Sequence, residues 1–299
     1  MIRLLNSIIK GLCELPQQLR WSYLPPLMVY LAAGVSGLTA IVGTFFIKDY
    51  LNLSAAFLAS LGFWAGLPWA LKMPLGHLGD LIWKHKAYLV GLGAAVIAAS
   101  LLIMYGLIGH TGFMASIMPV ETWFVTSVVL GPVGYVIQDV VADAMTVEAV
   151  PEQDENGNDI APDQLKVMHT TMQTLGRFAI IGGTVLVSLA NVVIFAGVDS
   201  LDAAARVDLY ADIYLYALII PVISIAGVVL ARLQHSYRNA RAQQVQHTAT
   251  SPNQQPEINW SILLGSLVFV VFSLGVGTSG IGYAQEIVFA GSVGIILFL

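Results

Sequence analysis

Three acids crowd into QDVVADAMTVE (138–148), directly after an apolar stretch, in a chain of 299 residues of which only 10% are charged. Asp139 and Asp143 are four residues apart, so on a helix they share one face, with Tyr135 one turn above. Glu148 closes the same segment. An aspartyl dyad would need its two carboxyls to face each other from different helices in order to share a proton, and these two project from one. GTSGIG (277–282) is a short glycine-rich turn without a base partner, and no spacing of histidines and acids suggests a metal site. Enzyme activity, a cofactor and a resident metal are therefore not expected. What remains is charge pairing and proton exchange.

Two cations stand where they can take part. Arg177 precedes the apolar core of a later run, and the segments carrying Asp139 and Arg177 run antiparallel around an acidic loop. They should lie at similar depth, and if they face each other each offsets part of the other's desolvation. Lys72 lies between Pro68 and Pro74; its amine either reaches a cavity and attracts an anion, or snorkels to lipid phosphate. The competing arrangement for Asp139, Asp143 and Arg177 is a solvated position where two helices leave the membrane, and for Glu148 that is the simpler reading. Trp64, Trp69 and Tyr135 either stack on a planar ring or anchor helix ends at the interface.

The elements that must position these residues follow from composition. The chain is 57% hydrophobic and its mean hydropathy is +0.78, whereas an average soluble domain is about a quarter charged. It cannot cover itself with polar surface, so it reads as an all-α polytopic membrane protein. No basic stripe suggests nucleic acid. Cys13, the single cysteine, excludes an intrachain disulfide.

A membrane helix needs roughly 20 mainly apolar residues. Such runs occupy Tyr23–Ile47, Ala55–Leu75, Ala87–Leu107, Pro119–Ile137 with a polar extension, Phe178–Gly197 preceded by one, Ala211–Leu233 and Ile258–Gly277. An eighth begins near Ile287 and is still apolar at Leu299, so the chain reads as part of a longer protein, truncated inside a helix. Residues 1–22 suit an amphipathic segment on the membrane surface. Residues 23–234 form a first six-helix bundle, 235–257 a polar, flexible cytoplasmic linker, and 258–299 the start of a second bundle. That is the layout of transporters built from two six-helix halves. With the N-terminus cytoplasmic, Arg3, Lys10, Arg20, Lys84, Lys86, Arg232, Arg238 and Arg241 lie inside and only Lys48 and Arg206 outside, which sets the orientation. Gly182–Gly183, Gly131 and Gly134 should permit close helix contact.

GHLGDLIWKHK (76–86) resembles the signature of the major facilitator superfamily in Gly76, Asp80, Lys84 and Lys86, and departs from it at Trp83 and His85, where a second Gly and an Arg are usual. The resemblance implies a major-facilitator-type bundle and a gating latch. In that latch Gly76 permits close helix approach, Asp80 caps a helix N-terminus, and the lysines pair with Glu148.

GLPWALKMPLGHLGD (66–80) followed by QDVVADAMTVE resembles the folate–biopterin transporter family, at Pro68, Trp69, Lys72, Pro74, Asp139, Asp143 and Glu148; Met73 interrupts the usual Lys-Pro pair. The resemblance runs loosely over residues 25–190. Muropeptide permeases of the same superfamily carry a similar Gln-Asp stretch, and they are the alternative. The resemblance implies a secondary transporter moving folate- or pterin-like organic anions by alternating access. Co-transport of protons, which would offset the membrane potential, a monomeric state and, with no recognisable transit segment, a bacterial inner membrane are expected with it. Asp139, Asp143, Arg177, Lys72, Trp69 and Tyr135 would contribute to substrate binding or proton coupling. A non-transporting sensory or delivery protein on the same fold is the other class.

Overall fold

The computed structural model describes residues 19–46, 55–70, 72, 75–76, 86–154, 157–244, 260–279 and 281–298. Its helices are α1 (Leu24–Val35), α2 (Ala40–Phe46), α3 (Ala55–Ala70), α4 (Lys86–Gly109), α5 (Thr111–Ile117), α6 (Val120–Ala149), α7 (Pro162–Ile194), α8 (Ala203–Tyr216), α9 (Ile219–Gln244), α10 (Trp260–Thr278) and α11 (Ala284–Phe298). Among the described residues there is no strand, and five spans are long and apolar enough to cross a membrane: Trp21–Gly43, Ala87–Gly109, Val120–Ala149, Pro162–Ser200 and Ala203–Tyr237. The protein is an all-α polytopic membrane protein.

Prolines set several boundaries. Pro119 precedes α6 in an extended conformation and Pro162 opens α7, where a missing N–H costs nothing because no intrahelical acceptor exists there. Between these helices the acidic loop turns on Gly157, whose φ of +82° suits a residue without Cβ. Asp154 accepts the Asn158 N–H at 2.8 Å on the same turn.

Lipid gives helices no hydrophobic reason to associate, so close backbone approach and interhelical hydrogen bonds must do it. α4 and α6 meet at Gly93 and Gly134: a Cβ on Gly134 would lie 2.7 Å from the Gly93 carbonyl oxygen. α1 and α7 meet at Gly34 and Gly183, where a Cβ on Gly183 would lie 2.8 Å from the Leu31 carbonyl oxygen. Gly134 and Gly183 thus do what their sequence suggested, whereas among the described residues nothing lies within 4 Å of a Cβ on Gly182. Ser100 and Ser127 lock α4 to α6 reciprocally, each hydroxyl donating to the other residue's carbonyl at 2.8 and 2.9 Å. α1 packs on α6, α7 and α9, and α10 packs on α11.

Several sequence expectations shift. The run 211–233 is not one helix: α8 ends at Tyr216 and α9 begins at Ile219, because Pro221 lacks an N–H and its ring crowds the carbonyl four residues back, at Ala217. The first span is likewise interrupted by a 3₁₀ turn at Ser36–Thr39, at a Ser-Gly pair of the kind that kinks helices. The polar segment expected to be a flexible linker from residue 235 continues α9 to Gln244; SYRNARAQQ is rich in Ala, Arg and Gln, good helix formers, and has no Gly or Pro. A short helix, α5, follows α4 and is held by Trp123, whose Nε1 donates to the Met114 carbonyl at 3.0 Å. The expected amphipathic segment before residue 19 and the linker from 245 to 257 lie outside the described residues.

Candidate functional site

α6 has two chemically different sides. On one, buried Gln138 donates Nε2 to the Val90 carbonyl of α4 at 3.3 Å and accepts from Ser224 Oγ of α9 at 3.0 Å. Asp139 is the next residue, turned about 100° around the helix axis, and it faces a different set of partners. Its Oδ2 is 2.5 Å from Lys72 Nζ, and the same ammonium is 2.7 Å from Asp143 Oδ2. One lysine therefore serves two carboxylates one helical turn apart, as their shared face required.

Asp143 has a further partner. The Tyr30 hydroxyl of α1 donates to its Oδ1 at 2.5 Å. The Tyr30 ring lies over Gly176 of α7, where a Cβ would come within 2.8 Å of ring atoms Cδ2 and Cε2. Four segments thus converge: α1 through Tyr30, the helical residue Lys72 just beyond α3, α6 through the aspartates, and α7 through Gly176.

Exposure is graded across the cluster. The Asp139 side chain is 15% exposed, Lys72 39% and Asp143 48%. The sheltered end holds a close ion pair in reduced dielectric, where it is stronger. The open end presents the second carboxylate to whatever fills the space outside. With one positive and two negative charges the trio carries a net −1 when fully ionised. Loss of either carboxylate charge leaves a neutral pair.

Of the residues singled out in the sequence, Lys72, Asp139 and Asp143 come together. Arg177 does not replace Lys72 as their partner: it lies exposed on α7, beyond ion-pair distance of either aspartate, and its charge acts on Asp139 and Tyr30 only through space. The reason is register, since Gly176 rather than Arg177 turns toward α1. Tyr135 is half-buried against the core. Trp69 is 46% exposed, and Trp64 stacks edge-to-face on Phe63 with centroids 5.5 Å apart.

The latch motif is only partly described. Gly76 is helical, and among the described residues nothing lies within 4 Å of the place its Cβ would take; close helix approach is seen at Gly34–Gly183 and Gly93–Gly134. Asp80 and Lys84 lie outside the described residues. Lys86 is the first residue of α4, and Glu148 is exposed near the end of α6. Of the lysines expected to pair with Glu148, Lys84 lies outside the described residues. Among the described residues no group of three His, Cys, Asp or Glu side chains could hold a metal ion.

Residue spacing alone does not single out Tyr30. In PPLMVYLAAG (25–34) its hydroxyl is the only polar side-chain group, which is a signal that a polar partner awaits it, though not which one.

Against known proteins, the chain is 29% identical over 134 residues to a folate-biopterin transporter of Synechocystis sp., a match that takes in 43% of this chain and 24% of that protein. The matched part is thus about a quarter of the relative's length. No family model matches the chain, and no solved structure matches it.

Proposed function

We propose that the protein is a proton-coupled secondary active transporter of the major-facilitator type, carrying folate- or pterin-like organic anions across a bacterial inner membrane by alternating access. It works as a monomer with its N-terminus in the cytoplasm. The observation that carries this reading is Lys72 held between Asp139 and Asp143 in a membrane-embedded bundle. The partial likeness to a folate-biopterin transporter supports it.

The mechanism follows from the charge count. An anion moving inward against the membrane potential costs about 2.3 kcal/mol per charge per 100 mV, which a co-transported proton cancels. While both aspartates are ionised, Lys72 is fully engaged and the net negative site repels an anion. Protonation of one carboxylate releases part of the ammonium's hydrogen-bonding capacity, and a substrate carboxylate can take the vacated place. Proton and anion therefore enter together. Arg177, exposed on the neighbouring helix, adds positive potential to the approach.

The test is uptake of radiolabelled folate, biopterin and an anhydromuropeptide by cells making the full-length protein, with and without an uncoupler. Uncoupler-sensitive accumulation of folate or biopterin is expected. The Asp139→Asn variant should lose the pH dependence of that uptake; an unchanged pH profile removes Asp139 from the coupling role. Accumulation of the muropeptide alone would assign the protein to the sister class of permeases.

A further inference from the structure

Asp143 is the open end of the cluster, nearly half exposed, and a surface carboxylate normally samples several rotamers. Here it does not have that freedom. One oxygen binds Lys72 at 2.7 Å and the other accepts the Tyr30 hydroxyl at 2.5 Å. Two partners on two different oxygens, arriving from α1 and from the segment after α3, fix both side-chain torsions. The tyrosine is itself fixed from behind. Its ring rests on Gly176, and even one methyl group there would meet two ring carbons at 2.8 Å, well inside ordinary carbon contact.

We propose that Tyr30 is a positioning residue of the site, holding Asp143 against Lys72 so that its charge is masked from an incoming anion, and that Gly176 is the seat that aims it. Without the hydroxyl, Asp143 turns outward and Lys72 settles on Asp139 alone. An anionic substrate then meets an unmasked carboxylate at the mouth of the site. The effect falls on substrate affinity: one hydrogen bond to a charged group is lost, about tenfold in an equilibrium constant. Among the described residues, the charged groups that act on this cluster are Asp139 on the same helix, Lys72, and Arg177 on α7, whose charge acts on Tyr30.

The transport consequence rests on the proposed function; the Tyr30–Asp143 link does not, and two measurements separate them. The first is a double-mutant cycle on the purified full-length protein, comparing Tyr30→Phe, Asp143→Asn and the pair by thermal midpoint. Tyr30→Phe should lower the midpoint by less than half as much in the Asp143→Asn background as in the wild type. Equal shifts in both backgrounds would overturn the link, whatever the protein transports. The second is uptake of radiolabelled folic acid at matched membrane abundance. Tyr30→Phe and Gly176→Ala should each raise KM about tenfold while leaving the maximal rate within twofold, and Gly176→Ala should add little to Tyr30→Phe. A fall in maximal rate with unchanged KM, the mark of fewer folded molecules, would overturn the positioning role. Absence of folic acid uptake by the wild type would reject folate as the cargo, and the thermal cycle would still decide the link.

Discussion

Replacing Lys72 with Met keeps the length and apolar stem of the side chain and removes only the ammonium. Two aspartates one turn apart then face each other's charge without a shared counter-ion. Breaking a fully buried ion pair by deleting one partner costs about 3–5 kcal/mol, while an exposed pair contributes about 0–1 kcal/mol. The Asp139 arm is sheltered at 15% exposure, but Lys72 at 39% and Asp143 at 48% are substantially wet, so the estimate falls between these limits, at about 2 kcal/mol. For a chain of this size that is a fall of roughly 4 °C in thermal midpoint, readable on detergent-purified protein by fluorescence. The decisive comparison is the double variant. Adding Asp139→Asn to Lys72→Met removes the stranded charge and should recover at least half of the loss, whereas Lys72→Arg should stay near the wild type. If Lys72→Met unfolds within a degree of the wild type, or if Asp139→Asn deepens the loss, the ion-pair reasoning is refuted.

Two further perturbations test the packing that holds the site. Gly134→Ala should destabilise by about 1–3 kcal/mol, because its Cβ meets the Gly93 carbonyl oxygen and an Ile97 side-chain carbon at 2.7 Å; Gly182→Ala, with nothing among the described residues within 4 Å of its Cβ, should be neutral or stabilising by up to about 1 kcal/mol, and chemical denaturation distinguishes them. Gln138→Leu removes the bonds to Val90 and Ser224 and should cost about 1–2 kcal/mol, measured in the same way. Because Ser224 also donates to its own helix at the Ile220 carbonyl, 3.3 Å away, adding Ser224→Ala should cost little more.

Much of the candidate site could be read from spacing. Asp139 and Asp143 had to share a face because a helix repeats every 3.6 residues, and Gly134 and Gly183 stood out because few other residues let membrane helices touch. The partner of the aspartates was harder. Arg177 and Lys72 both had suitable depth, and the choice between them depends on how α6, α7 and the segment after α3 are rotated about their axes. That rotation is set by contacts such as Gly34 on Gly183, which join residues nearly 150 positions apart. Tyr30 was out of reach for the same reason, its acceptor being 113 positions away. The break before Ile219, by contrast, is legible: Pro221 inside an apolar run is an ordinary helix-ending signal, which apolar length alone conceals. The helical continuation to Gln244 was hidden by polarity, which says that a segment is solvated without saying that it is irregular.

The lysine bridge also imposes an order on biosynthesis. Lys72 leaves the ribosome 67 residues before Asp139 and 71 before Asp143, a delay of about 3–14 s at roughly 5–20 residues per second. Throughout that interval its ammonium has neither counter-ion, and a lysine at the centre of an inserting helix costs about 2.5–3.5 kcal/mol. Its position at the end of the α3 segment, where the stem can reach lipid headgroups, makes the wait tolerable. The amine then exchanges phosphate for carboxylate when α6 arrives. α3 therefore reaches its final depth only once α6 is made, three helices later, and a nascent chain halted before α6 would leave Lys72 at the membrane surface.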